Sequence, residues 1–353
     1  MMNKMAIILA AGQGKRMKSK LYKVLHPVCG KPMVGHVLDA VRNAECDRAV
    51  VVVGHGAEDV KSALGESVEY ALQAQQLGTG HAVQQAEALL GQEDGVTVVT
   101  YGDTPLVTAD TIKELIAHHV REGAAATVLT ADVAEPFGLG RIIRGEDGSV
   151  LGIVEQKDCS PEQAAIREIN TGTYCFDNRK LFSALSDVTN DNSQGEYYAT
   201  DVIGILRGRG ERISASKCKD PAEATGVNDR IALGGAERLM RQRINEAHQA
   251  NGVTIIDAAN TYIEAGVTIG ADTVIYPGTF LRGATSIGSD CAIGPSADLT
   301  DTTVGDGATI RQTVAEDAEV ADGCNVGPFA YLRPGTKLGR RVKVGDFVEI
   351  KNA

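Results

Sequence analysis

The stretch Thr268-Ile-Gly-Ala-Asp-Thr-Val-Ile-Tyr-Pro-Gly-Thr-Phe-Leu-Arg-Gly-Ala-Thr-Ser-Ile-Gly288 places an aliphatic residue at Ile269, Ile275, Leu281 and Ile287, one in every six positions. The same spacing reaches back to Ile263 and forward to Ile293 and Leu299. It resumes after a one-residue deletion at Val304 and Ile310, and after a four-residue insertion at Val320, Val326, Leu332, Leu338, Val344 and Ile350. Glycine often follows the aliphatic, as at Gly270, Gly288, Gly294, Gly305, Gly327, Gly339 and Gly345, and small residues tend to sit four positions after it. A period of six without a helical signal predicts a parallel β-helix, each hexad forming one flat side and three hexads closing a coil. A single coil cannot bury its own aliphatics, so the coils must stack.

The chain before this region has a different rhythm. Met5-Ala-Ile-Ile-Leu9, Ala49-Val-Val-Val-Val-Gly54 and Val96-Thr-Val-Val-Thr100 are short apolar runs of the kind found in buried parallel strands. Helical patterns separate them, at Met33 to Ala44, Ala57 to Leu64, His81 to Leu90 and Ala109 to Glu122, with Pro32 at a first helical position. This βαβα order predicts a doubly wound α/β sheet, whose ligands bind beyond the carboxyl ends of the strands. Arg141-Ile-Ile-Arg and Val150-Leu-Gly-Ile-Val154 flank Gly145-Glu-Asp-Gly148 and predict a hairpin. A helix from about Asn228 to Gln249, stopped by Asn251-Gly252, is the candidate connector. The expected division is 1–227, a connector over 228–252, and the hexad region 253–353. The sequence stops at Asn352-Ala353 within a hexad and without a cap for the last coil, which suggests a piece of a longer protein.

Composition narrows the function classes. A chain of 353 residues with 43% hydrophobic content has enough apolar surface for two domains. Its net charge of −11 and pI near 5.2 argue against nonspecific nucleic-acid binding. Seven scattered cysteines, none in a Cys-x-x-Cys pair, indicate neither a zinc site nor a disulfide framework. The apolar run Ala6 to Ala11 is short for a signal peptide and is followed by dense basic residues. No stretch approaches the roughly 18 apolar residues that span a bilayer. The expectation is a soluble cytoplasmic protein with neither membrane nor nucleic-acid partners.

Against that acidic background, Leu9-Ala-Ala-Gly-Gln-Gly-Lys-Arg-Met-Lys-Ser-Lys-Leu-Tyr-Lys23 is a basic loop at the end of the first strand. Glycines after a strand let backbone N–H groups approach an anion, and Lys15, Arg16, Lys18, Lys20 and Lys23 supply neutralising charge. A polyphosphate ligand is the simplest cause. The loop lacks the third glycine of a dinucleotide fingerprint and the Gly-Lys-Ser/Thr ending of a P-loop.

Eight segments occur together in order: Leu9-Ala-Ala-Gly12, Lys23-Val-Leu-His26, Gln73-Ala-Gln-Gln-Leu-Gly-Thr-Gly-His81, Tyr101-Gly-Asp103, Glu168-Ile-Asn-Thr-Gly172, Gln194-Gly-Glu-Tyr-Tyr198, Gly226-Val-Asn-Asp229 and Gly327-Pro-Phe-Ala-Tyr-Leu-Arg-Pro-Gly335. With them the chain resembles the sugar-1-phosphate nucleotidyltransferases. It is most similar to the bifunctional N-acetylglucosamine-1-phosphate uridyltransferase/glucosamine-1-phosphate acetyltransferase family. The resemblance implies a Rossmann-like nucleotidyltransferase domain followed by a left-handed parallel β-helix, with a trimer built through the β-helix. It also implies Mg²⁺-dependent transfer of uridylate from UTP to N-acetylglucosamine 1-phosphate, in the supply of UDP-N-acetylglucosamine to peptidoglycan and lipopolysaccharide. A different nucleotide or hexose, or a non-catalytic scaffold of this fold, are the alternatives.

By resemblance, Leu9, Ala10, Ala11 and Gly12 hold the nucleotide, and Arg16 and Lys23 bind its phosphates. Gln73, Gly78 and Thr79 match the uracil-recognition segment, Gly78 allowing close approach. Asp103 and Asn228 match Mg²⁺ ligands. Tyr101, Gly102, Gly140, Glu155 and Asn170, with Asn228, match the sugar pocket. Other readings compete: Arg16 and Lys18 as solvated surface charges, Asp103 as a turn residue before Thr104-Pro105, Asn228 as a helix cap, and Gly78-Thr-Gly80 as a buried helix N-terminus. His26, His81 and the pair His118-His119 lack metal-ligand spacing and read as structural. The family usually has Thr or Ser in place of Lys15 and Pro in place of Tyr22. Lys15 would add charge beside the phosphates, and Tyr22 would relax the turn that presents Lys23. Arg333 and Lys351 match sugar-phosphate contacts of the acetyl-CoA-dependent site, whose general-base histidine lies beyond residue 353. Acetyl transfer is therefore expected to be absent from this polypeptide and present in a longer parent.

Overall fold

The computed structural model describes residues 2–351, so the chain end at Asn352-Ala353 lies outside the described residues. In chain order the main elements of the first part are β1 (Lys4–Leu9), α1 (Met33–Asn43), β2 (Arg48–Val53), α2 (Ala57–Leu64), β3 (Glu69–Leu72), α3 (Thr79–Gln84), β4 (Val96–Tyr101), α4 (Ala109–Glu122) and β5 (Ala126–Asp132). Then follow the hairpin β6 (Arg141–Arg144) and β7 (Val150–Val154), β8 (Glu168–Asp177), α5 (Asn178–Leu185), α6 (Asp201–Gly208), β9 (Ile213–Lys217) and the long α7 (Arg230–Ala250). Two expected details differ. Pro32 caps α1 from outside, with φ −51° and ψ 141°, and the expected helix over His81 to Leu90 is two short ones, Thr79–Gln84 and Glu87–Leu90.

The sheet runs β9-β5-β8-β4-β1-β2-β3, with the β6–β7 hairpin attached at β8. β1 pairs in parallel with β2 and β4, while β8 is antiparallel to β4 and β5. Strand periodicity sends Met5, Ile7 and Leu9 into one core and Ala6, Ile8 and Ala10 into another. Both faces of β1 are thus buried, which is why its sequence reads as a continuous apolar run.

The described β-helix residues form three parallel sheets of six, six and five short strands. One column stacks Ile263, Leu281, Leu299, Ala315, Leu332 and Ile350 at equivalent register positions. This is a left-handed parallel β-helix. Its interior corrects one expectation. The apparent four-residue insertion after Ile310 is a full side of a coil, in which Ala315 points inward with 0% exposure. Steps of five residues on either side of Ala315 hid the repeat, and its small side chain does not register as an aliphatic anchor.

The chain divides into two compact units. One holds the residues up to His26 together with Pro32–Leu233, the other Pro27–Lys31 with the residues from Gly234 onward. Within the second unit, the Cys29 amide donates to Glu237 Oε2 at 2.6 Å and the Ala265 amide to the Cys29 carbonyl at 3.0 Å. The Asn245 amide of α7 donates to the Ala258 and Thr261 carbonyls, tying that helix to the first coil. No helix among the described residues is long and apolar enough to cross a membrane.

Candidate active site

Register places Leu9, the last residue of β1, opposite Tyr101, the last of β4. The chain leaves both strands in step: the Gly102 amide donates to the Leu9 carbonyl at 2.9 Å, and the Ala10 amide to Val52 at 2.8 Å. A cleft of about 290 Å³ opens at these carboxyl ends. Leu9, Ala11 and Gly12 line it together with Gln73, Gly78 and Thr79 and with Lys23, Tyr101 and Asp103. Gln76 and Glu196 also line it, and sequence reasoning assigned neither a role although both lie inside recognised motifs.

Lys23 is the centre of this cleft. Its ammonium donates to Asn228 Oδ1 at 2.7 Å and forms an ion pair with the Asp103 carboxylate. The Lys23 and Asp103 side chains are only 14% and 16% exposed. The Val227 amide donates to the Asp103 carbonyl at 2.8 Å, joining the segments that carry Asn228 and Asp103, and the buried Glu223 carboxylate accepts from the amide and hydroxyl of Thr108. Gly14 makes the approach of Lys23 feasible. Its φ is +64°, and a Cβ there would lie 2.4 Å from the Lys23 Cβ.

Tyr22 does not relax the turn before Lys23. Its φ of −63° is the value proline would impose, and its ring rests on Gly56 and meets His55 edge-on at 5.7 Å. The side chain's packing replaces the constraint of a ring.

The uracil-matching segment is held from inside. Gln73, 3% exposed, donates through Nε2 to the Gly78 carbonyl at 3.0 Å and lies 3.1 Å from His81 Nδ1. With the amide nitrogen engaged there, its oxygen is the acceptor available to a ligand. His81 is thereby an orienting group. Gly78 has φ +115°, and a Cβ would lie 2.4 Å from the Tyr197 carbonyl oxygen. Close approach does require this glycine, and the partner on the structure is the Tyr197 backbone, which accepts from the Gly80 amide at 2.8 Å. Thr79 Oγ1 accepts from the Ala199 amide at 3.0 Å.

The sugar-matching residues form a cluster of their own. The Asn170 amide donates to the Gly140 carbonyl at 2.9 Å, and Gly140 faces Ile153, Glu155 and Asn170 closely. Asn170 Oδ1 accepts from the Gly172 amide, while its Nδ2 donates to the Tyr174 hydroxyl at 2.7 Å. Burial, with help from Asp158 and Asp201, pushes the Glu155 carboxyl above its usual range. Burial likewise pushes the Tyr101 phenol far up, so it remains a neutral donor. The Tyr101 ring passes over Gly172, where a Cβ would lie 2.7 Å from it.

Several expected residues lie elsewhere. Ala10 points into the core with Ile8, because the strand alternates faces. Gly102 is buried against Val24 and Val34. Arg16 is exposed on the short turn Lys15–Met17, anchored by buried Met17, and is outside the cleft walls. In the β-helix, Arg333 pairs with Glu349 at 2.9 Å, and its amide donates to Ile350, the neighbour of exposed Lys351.

A mixed sheet with a phosphate-ready cleft at its carboxyl ends, followed by a hexad-built β-helix, defines a nucleotidyltransferase with a second, repeat-built domain. The model of the MobA-like NTP transferase domain matches residues 6–200. The bifunctional protein GlmU of Brevibacillus brevis is 58% identical over 348 residues, covering 99% of this chain and 76% of the relative. The bifunctional proteins GlmU of a Geobacillus species and of Enterococcus faecalis are 56% and 55% identical over 353 residues, covering 100% of this chain and 77% of each. The chain belongs to this family of bifunctional uridyltransferase/acetyltransferases, and its activity is formation of UDP-N-acetylglucosamine and pyrophosphate from UTP and N-acetylglucosamine 1-phosphate.

Proposed function

We propose that both substrates meet in the cleft at the ends of β1 and β4, with Lys23 as the principal charge-stabilising group. The observation that carries this is the convergence of Lys23, Asp103 and Asn228 on one point beside Gly12. A sugar-phosphate oxygen attacks the α-phosphorus of UTP, the bond to the β-phosphate oxygen breaks, and pyrophosphate leaves. Such transfers depend on positioning and charge stabilisation more than on covalent catalysis. Backbone N–H groups near Gly12 cradle the phosphates, and the Lys23 ammonium moves from its internal partners to the developing charge. Arg16, free on its turn, meets the outer phosphates. The Gln73 side-chain oxygen accepts from the base, and Gly78 and Thr79 hold that segment. Tyr101, Gly140, Glu155 and Asn170 read the hydroxyls and amide of the sugar.

The donor set suits Mg²⁺. The oxygens of Asp103 and Asn228 already face a common cationic centre, the Lys23 ammonium, and a carboxylate with one amide oxygen leaves positions for water and phosphate. When bound by Asp103 and Asn228, Mg²⁺ would supply further neutralisation of phosphate charge.

For the second domain, we propose acetyl-CoA as the substrate of the family's other activity, with Arg333 and Lys351 as contacts for the sugar phosphate that would accept the acetyl group. The seven histidines all lie between His26 and His248, and we propose that the hexad residues by themselves do not support acetyl transfer. Acetyl-CoA thiol release by this polypeptide should stay at background, and release well above it would refute the proposal. The flat parallel sheets of the β-helix, together with Phe329 and Phe347 exposed and stacked at 5.3 Å on its turns, support a homotrimer, which sedimentation would test. Seven free cysteines support a cytoplasmic location.

Pyrophosphate release measured across UTP, ATP, GTP and dTTP with several sugar 1-phosphates tests substrate choice. UTP with N-acetylglucosamine 1-phosphate should dominate. Preference for another base or hexose would move the chain to a different specificity within the fold.

A further inference from the structure

Arg141 opens β6 next to Gly140 and is 1% exposed. Its recorded hydrogen-bond partners among the described residues are carbonyl and amide oxygens, none of them a carboxylate. A buried cation without a counter-charge is costly unless its donors are well used. Here they are used in an unusual way. One terminal nitrogen donates to the Leu139 carbonyl, and the other donates to Gln156 Oε1 at 2.7 Å and to the Ala164 carbonyl at 3.3 Å. Gln156 Oε1 also accepts from the Gly138 amide at 3.0 Å. One guanidinium therefore fastens the 138–139 loop, the turn after Glu155 and the short helix Pro161–Ala164. Its Nε has no partner, so the fork is oriented by these acceptors alone.

The fastened segments carry Gly140 and Glu155, two of the three residues that close on one another in the sugar cluster. We infer that Arg141 is a positioning residue for the N-acetylhexosamine phosphate, setting the distance between the Gly140 loop and Glu155. This inference rests on the assignment of that cluster to the sugar. A planar fork spans acceptors on three segments, whereas a lysine offers one point charge and a methionine none. A merely stabilising arginine would act on the whole domain and on both substrates alike.

The test is steady-state kinetics of Arg141→Lys and Gln156→Ala, each with a thermal melt. Both should raise KM for N-acetylglucosamine 1-phosphate about tenfold or more, as expected for lost hydrogen bonds to a buried charge, with kcat and KM for UTP moved less than about threefold. Equal shifts in both KM values, or an unchanged sugar KM in a folded variant, would overturn the inference. If Arg141→Lys fails to fold, Gln156→Ala decides, since it removes one acceptor and leaves the cation. Glu155→Ala and Asn170→Ala, run in parallel, separate the two ideas. If they leave the sugar KM unchanged, the pocket assignment fails; if they raise it while Arg141→Lys and Gln156→Ala do not, only the role of Arg141 fails.

Discussion

Lys23 Nζ lies 2.7 Å from Asn228 Oδ1, although the two residues are 205 positions apart in sequence. The contact joins the loop after β1 to the segment just ahead of α7, and Asp103 completes it from the end of β4. Three chain segments thus deliver one cation and two oxygen ligands to one point, each from the carboxyl side of the sheet.

Replacing Lys23 by Ala should lower kcat/KM by about 10²–10³, the effect of removing one preorganised electrostatic donor. The loss of activity should far exceed the loss of stability, which is limited to the stem's packing and the partners that the ammonium leaves. Pyrophosphate release and a thermal melt on the same sample check both halves. Lys23→Arg should restore only part of the rate, since a planar guanidinium does not reproduce the compact charge that faces both Asp103 and Asn228.

Asp103→Asn keeps the size of the side chain and removes its charge. It should shift the Mg²⁺ dependence of turnover to concentrations about tenfold higher or more, because hard cations are held chiefly by carboxylate charge. Asn228→Ala should shift it in the same direction. A Mg²⁺ titration of initial rate for each variant reads this directly.

Gly78→Ala forces a side chain into φ +115° and against the Tyr197 carbonyl oxygen. A loss of about 1–3 kcal/mol in stability is expected from the backbone strain alone. KM for UTP should rise as well, since the displaced backbone holds Gln73 through its Gly78 bond. Urea unfolding and UTP kinetics measure the two effects.

His119 is 3% exposed and lies 2.9 Å from Thr127 Oγ1. Burial holds its imidazole down from an ordinary 6.5 to about 4. As pH falls below 6.5 the unfolded chain takes up a proton that the folded chain refuses until about pH 4. The stability contributed by neutral His119 is therefore intact above pH 6.5 and is lost as the pH falls toward 4, by up to about 3 kcal/mol. Urea unfolding at pH 7 and pH 4.5 should show a smaller drop for His119→Gln than for the parent chain.

Much of this was legible in the sequence because it depended on local periodicity or on contiguous motifs. The hexads announce the β-helix because most coils repeat an aliphatic residue at the same inward position, and the apolar runs announce the sheet because both its faces are buried. Ala315 escaped notice because a small inward residue with five-residue steps breaks the count. Resemblance places Ala10 and Arg16 with the nucleotide, while strand alternation turns the Ala10 side chain into the core and the turn at Lys15–Met17 leaves Arg16 exposed at the edge of the site. Gln76, Glu196 and Arg141 were missed because their roles depend on tertiary neighbours. The grouping of Pro27–Lys31 with the second unit had no sequence signal for the same reason.

UDP-N-acetylglucosamine formation by this polypeptide from UTP and N-acetylglucosamine 1-phosphate, with Mg²⁺, with EDTA, and with EDTA overcome by excess Mg²⁺, is the most direct measurement. Turnover that EDTA abolishes and Mg²⁺ restores is the predicted result. No turnover in the presence of Mg²⁺, or equal turnover in EDTA, would contradict a cleft built around Lys23, Asp103 and Asn228.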